Sequence, residues 1–120
     1  MAKRFDFKLD QGSDLTLTVS TTGADGTADL TGYEAAMQVR ASHYADRAAD
    51  TLTTKNGRLS IDTTSGKITA TFPHAVTEKY PAPECVYDIE LISPDDKIFR
   101  VLEGTISVSR EVTRVNLSAN

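Results

Sequence analysis

Two runs of alternating apolar and polar residues lie on either side of Ser93-Pro94-Asp95-Asp96. One arm sets Cys85, Tyr87, Ile89 and Leu91 on a single face; the other carries Phe99, Val101, Ile106 and Val108. The intervening side chains favour a tight turn, so residues 85–108 read as a long antiparallel hairpin. In its second arm Phe99 and Val101 have one parity and Ile106 and Val108 the other. One extra residue at Gly104 would return all four to the same side, which predicts a β-bulge there. The same period of two marks a first strand over residues 5–9 (Phe5, Phe7, Leu9) and a second at Leu15, Leu17 and Val19, interleaved with threonines. A third strand carries Tyr33, Ala35, Met37 and Val39, and its two small or apolar faces predict a central position. Ile68, Ala70 and Phe72 mark another strand, and Arg110 to Val115 reads as a terminal one.

The punctuation fits this pattern. Thr22-Gly-Ala-Asp-Gly-Thr27 holds an Asp-Gly reversal, and Asp62-Thr-Thr-Ser-Gly66 a further turn. Thr51 to Thr54 predicts a short strand, Asn56-Gly57 a two-residue hairpin turn, and Leu59 with Ile61 the return. Residues 42–50 break the alternation and hold a cluster of alanines, which predicts a loop with one helical turn. A second helical turn is expected over His74 to Tyr80, where Val76 and Tyr80 are four apart, with Pro81 and Pro83 ending it. About eight short strands with turns every 8 to 12 residues indicate an all-β fold, an antiparallel β-sandwich of two sheets with a short helical turn. At 120 residues the chain reads as a single domain, residues 1–120, whose terminal segments can pair with neighbours.

Composition narrows the function classes. Thirteen Lys and Arg against seventeen Asp and Glu leave a net charge of -4 without a basic cluster, which argues against nucleic acid as a partner. No segment approaches the ~20 apolar residues of a membrane-spanning helix, so no membrane association is expected. The single cysteine, Cys85, falls on the apolar face of its strand and reads as a buried, inert thiol. His43 and His74 are too isolated to suggest a triad. Asp88 and Glu90 sit two apart on a polar face, where adjacent carboxylates are ordinarily solvated rather than catalytic. Asp25 with Asp29, and Asp95 with Asp96, are explained by turns and fit no calcium-loop spacing. The seven glycines are scattered through turns and form no phosphate loop. Phe5, Phe7 and Tyr44 read as core or staple residues. A sugar-binding surface would need exposed aromatics, and the chain has no tryptophan. No catalytic residue, metal ligand or cofactor follows from the residues.

Three pieces carry a resemblance: Leu9-Asp-Gln-Gly-Ser-Asp-Leu-Thr-Leu17, Asp29-Leu-Thr-Gly-Tyr-Glu-Ala-Ala-Met-Gln-Val-Arg40, and Tyr87-Asp-Ile-Glu-Leu91 leading to Gly104-Thr-Ile-Ser-Val-Ser-Arg-Glu-Val-Thr-Arg114. Across about residues 5 to 115 the chain resembles small structural proteins of tailed bacteriophages and prophages. It is similar in pattern to the immunoglobulin-like N-terminal domain of the phage baseplate upper protein. The resemblance implies a non-enzymatic, immunoglobulin-like component of the virion, made in the cytoplasm of the bacterial host. It would assemble with other virion proteins and with copies of itself. That family continues into a fibre-binding region, whereas this sequence stops at Asn120, so a stand-alone piece at the tail, the baseplate or the head-tail connection is expected. A capsid decoration protein and a carbohydrate-binding or accessory module are the rivals. Arg4, Lys8, Arg110 and Arg114 flank apolar residues at the two ends and are the candidate partner-binding residues, able to pair with carboxylates.

Overall fold

A computed structural model describes residues 2–20 and 30–113. Within them the chain forms strands β1 (Lys3–Arg4), β2 (Phe7–Asp10), β3 (Leu15–Ser20), β4 (Glu34–Arg40), β5 (Asp50–Thr53), β6 (Leu59–Asp62) and β7 (Lys67–Phe72). A single turn of helix, α1 (His74–Thr77), then leads to β8 (Glu84–Ile92) and β9 (Ile98–Ser109). The all-β sandwich read from the alternation is what forms. The larger sheet runs β1-β9-β8-β4-β5, with β2 also on β9, and the smaller runs β3-β7-β6. Leu9, Met37, Val39, Leu52, Ile68, Phe72, Ile89 and Ile106, each at most 2% exposed, fill the space between them. These are the residues of the inward parity, so the pattern that predicts the strands also builds the core.

The expected long hairpin is β8 with β9, closed at Ser93 to Lys97, where Asp96 takes φ 66° and the Ser93 amide donates to the Lys97 carbonyl. β4 is central, between β5 and β8, as its two apolar faces require. α1 places Thr77 and Tyr80 in the interior, and Tyr80 meets Phe72 edge-on.

Several expectations are corrected. The larger sheet is mixed, because β1 and β2 lie parallel to β9, with Lys3 opposite Leu102 and Phe7 opposite Ile106. Instead of one strand over residues 5–9, the segment is kinked at Phe5-Asp6, where the Asp6 carboxylate accepts the Thr105 amide in place of a backbone carbonyl. The bulge lies at Val101, not Gly104: Ile89 pairs with Leu102 and Glu90 with Arg100, which leaves Val101 over. Gly104 has a different duty. A Cβ there would stand 2.0 Å from the Phe5 carbonyl oxygen, the atom that also accepts the Tyr87 hydroxyl. Gly104→Ala is therefore expected to push the N-terminal strand off β9 at a cost of about 1 to 3 kcal/mol. Hydrogen exchange at the Phe5 amide, which donates to the Glu103 carbonyl, would speed up, and an unchanged rate would refute the close-approach account.

The Asn56-Gly57 turn does not close a hairpin. β5 belongs to the larger sheet and β6 to the smaller, so the chain crosses the sandwich there. Asn56 Oδ1 accepts the Thr53 and Arg58 amides and shapes the crossing. Residues 42–49 form turns and bends without a helix, since an isolated helical turn fixes several dihedrals for one bond. Tyr44, expected as a core or staple residue, is 94% exposed there. Residues 110–113 are not a strand, and Val112 is 93% exposed. The expected reversal over residues 22–27 lies outside the described residues.

Candidate functional site

With Ala35, Met37, Val39, Tyr87, Ile89 and Leu91 directed into the core, the alternate residues of β4, β8 and β9 form the outer face of the larger sheet. Strand register arranges them in rows. Arg40, Val86 and Thr105 make one row; Gln38, Asp88, Glu103 and Arg4 the next; Ala36, Glu90 and Arg100 a third. Ala36 is the smallest side chain in this array, with Thr53 of β5 and Glu90 of β8 as its register neighbours. A groove of about 420 Å³ lies over these rows, and Ala36, Val86 and His43 are among the residues that line it.

Register sets Asp88 directly opposite Glu103, two like charges that repel. Arg100 lies between them, Nε 3.4 Å from Asp88 Oδ2 and Nη1 3.4 Å from Glu103 Oε1. Exposed pairs of this kind contribute at most about 1 kcal/mol, so Arg100 chiefly relieves the repulsion. It is drawn away from Glu90, its register neighbour, whose carboxylate has no hydrogen bond or ion pair among the described residues. Arg40 donates to the Ala45 carbonyl (2.9 Å) and to Gln38 Oε1 (2.8 Å), and Gln38 Nε2 donates to Thr51 Oγ1 (3.2 Å). These bonds hold the 42–49 loop against β4 and fix one wall of the groove.

The basic residues singled out at the chain ends fall into two places. Arg4 is held by Asp6 (3.2 Å) and donates to Thr105 Oγ1 (3.2 Å). Lys8 is exposed on β2 opposite Ser107, and Arg110 is exposed just past Ser109, the register partner of Asp10. The fold thus brings Lys8 and Arg110 to the same end of β9 and leaves Arg4 several residues away. Arg114 lies outside the described residues. β2 has β9 on one side and, among the described residues, no strand on the other.

Other polar groups prove to be fixtures of the fold. His74 Nδ1 is 3.0 Å from Asp14 Oδ1, which also accepts the His74 amide; these bonds hold the Asp14 carboxyl below the usual range. Both side chains are exposed, and among the described residues no hydroxyl or thiol bonds the imidazole. The Asp62 carboxyl is lowered by the Thr64 hydroxyl and the Ser65 amide inside its turn. Cys85 is fully buried; burial first, and the Glu84 charge second, push its thiol up to about 11. Such a thiol stays protonated and unreactive at neutral pH. Among the described residues no three His, Cys, Asp or Glu side chains converge to hold a metal ion, and no helix is long and apolar enough to cross a membrane.

The groove was not visible in the sequence. Asp88 and Glu90 stand out as an outward pair, but their neighbours Gln38, Arg40, Arg100 and Glu103 come from strands up to 52 residues away, Gln38 being opposite Asp88 and Glu103 opposite the same residue. Only the register assembles them. Neither the protein-family models nor the curated proteins contain a match to this chain.

Proposed function

We propose that the chain is a non-enzymatic structural component of a tailed-phage particle, placed at the tail, the baseplate or the head-tail connection and acting through protein-protein assembly. The observation that carries this reading is the edge made by β2, which is open on its outer side among the described residues and carries Lys8 opposite Ser107, three residues before Arg110. An open edge offers unpaired amides and carbonyls to a strand of a neighbouring subunit, while the two basic residues select acidic surroundings. A net charge of -4 gives each copy such surroundings. The resemblance of residues 9–17, 29–40 and 87–114 to the phage baseplate family supports the location.

Lys8→Glu together with Arg110→Glu is expected to lower incorporation into particles about tenfold, the effect of roughly 1.4 kcal/mol of lost contact. Added salt should weaken wild-type incorporation in the same direction, since exposed charges are screened beyond about 8 Å at physiological ionic strength. Normal incorporation of a folded double variant would overturn the edge-docking reading. Immunogold labelling of the capsid rather than the tail would move the protein to the decoration class.

A further inference from the structure

We propose that the β2 edge pairs with the β2 edge of a second copy of this chain, the two strands antiparallel about a two-fold axis at Leu9, so that the larger sheets of both copies become one. This names the partner of the edge described above and rests on that reading.

Backbone direction shows what the edge offers. The Gln11 amide donates to the Ser109 carbonyl at 2.9 Å, which turns Gln11 toward β9. Successive residues of a strand turn their amides to opposite sides, so Leu9 and Phe7 also address β9, whereas Lys8 and Asp10 direct N–H and C=O outward. The Val108 amide, bonded to the Pro83 carbonyl at 2.8 Å, faces away from β2 and agrees with this phase. The Asp10 carbonyl accepts the Ser13 amide at 3.1 Å and keeps a second lone pair. Two outward residues separated by one are what an antiparallel ladder needs. Lys8 opposite the partner's Asp10 exchanges two hydrogen bonds, and the two-fold axis repeats them.

Side chains select the register. Leu9 is buried and Phe7 half-buried, while Lys8 and Asp10 are exposed, and neither of their side chains has an ion pair or hydrogen bond among the described residues. Inward residues must meet inward residues, because a one-residue slip sets Leu9 against a residue of the outer face. Only axes that pass through a residue satisfy this. An axis at Lys8 sets two ammonium groups opposite each other, and an axis at Asp10 two carboxylates. An axis at Phe7 brings Lys8 to Asp6, whose carboxylate already holds Arg4 and the Thr105 amide. The axis at Leu9 sets Lys8 against the partner's Asp10, and Asp10 against the partner's Lys8, with leucine against leucine between them. Opposite charges two residues apart thus make one short strand complementary to itself.

Sedimentation equilibrium of the full chain up to about 1 mM is expected to show a dimer with a Kd on the order of 100 µM, a weak affinity that suits an interface of one short strand. Lys8→Asp and Asp10→Lys should each raise that Kd about tenfold, and the two together, which restore opposite charges in the same register, should return it to within about threefold of wild type. Cysteine trapping reads the register. The Cα atoms of Lys8 and the partner's Asp10 would lie about 5.5 Å apart, within disulfide range, and those of Lys8 and the partner's Lys8 about 8 Å apart, beyond it. An equimolar mixture of Lys8→Cys and Asp10→Cys chains should therefore cross-link about tenfold faster than either chain alone, with the buried Cys85 taking no part. Unshifted core amides in ¹⁵N spectra, Ile89 for example, verify that each variant is folded. A wild-type chain that stays monomeric up to about 1 mM overturns the proposal, as does a dimer whose Kd neither charge reversal moves, or a mixture that cross-links no faster than the single variants. If wild type stays monomeric while Lys8→Glu with Arg110→Glu still lowers incorporation into particles, the edge docks on a different protein and only the pairing of copies falls. A dimer in this register alongside normal incorporation of that double variant upholds the pairing and removes the assembly reading.

Discussion

Asp50→Ala is expected to destabilise the protein by about 3 to 5 kcal/mol, the cost of removing one partner from a buried ion pair. Arg58 Nη2 lies 2.7 Å from Asp50 Oδ2, and the two side chains are only 18% and 8% exposed. The Tyr80 hydroxyl donates to the same oxygen. Truncation would therefore leave a guanidinium and a phenol without their acceptor in a site that water reaches poorly. Burial works against the Arg58 charge, and the hydrogen bonds and charge of Asp50 more than offset it, so the net direction is upward. Burial first, and Asp50 second, likewise raise the Tyr80 phenol. Arg58 also donates through Nε to the Thr71 carbonyl. The cluster thus joins β5 of one sheet to β7 of the other and to Tyr80, three residues past the end of α1. Urea unfolding of Asp50→Ala measures the loss. Asp50→Asn, which keeps an acceptor, should recover part of it, and a midpoint shift equivalent to less than about 1 kcal/mol in Asp50→Ala would mean that the pair acts as a surface pair does.

The second large effect belongs to Ile89→Ala, at about 2 to 5 kcal/mol. Ile89 is fully buried and central in the larger sheet, flanked in register by Met37 on β4 and Leu102 on β9. It also stands at the bulge, where Val101 and Leu102 both turn inward, at 4% and 3% exposure. Neighbours on three strands cannot all move to close the space, so the cost includes a residual cavity as well as the lost transfer energy. An unchanged urea midpoint would remove the inward assignment of the whole Tyr87, Ile89, Leu91 row.

What could be read in advance was local. The β8-β9 hairpin, β3, β4, the β6-β7 turn at Asp62-Gly66 and the turn at α1 all follow from side-chain period and turn chemistry over a dozen residues or fewer. The remainder depended on long-range partners. Asn56-Gly57 suits a hairpin, but Arg58 finds Asp50 and the chain crosses to the other sheet instead. Gly104 breaks parity as a bulge would, yet it is small because the Phe5 carbonyl, 99 residues earlier, lies against it. Alternation at Phe5, Phe7 and Leu9 marks a strand and says nothing of whether it adds in parallel. Tyr44 reads as a core or staple residue, yet residues 42–50 offer no apolar stripe to bury it with. For the groove the sequence showed two carboxylates and no hint of what the register would set around them.

The parallel pairing of β1 and β2 with β9 also sets an order of events during synthesis. Lys3 meets Leu102, so the N-terminal strands have no edge to join until nearly a hundred further residues have been made. At about 5 to 20 residues per second, that leaves them waiting roughly 5 to 20 s on a nascent chain. Through that interval Phe7 and Leu9, which end up against Tyr87 and in the core, have no sheet to cover them. Closing so long a loop adds little to the equilibrium cost, since that cost grows only with the logarithm of length. It weighs instead on the rate, and folding is expected to finish in a slow step in which β1 and β2 dock on β9 last.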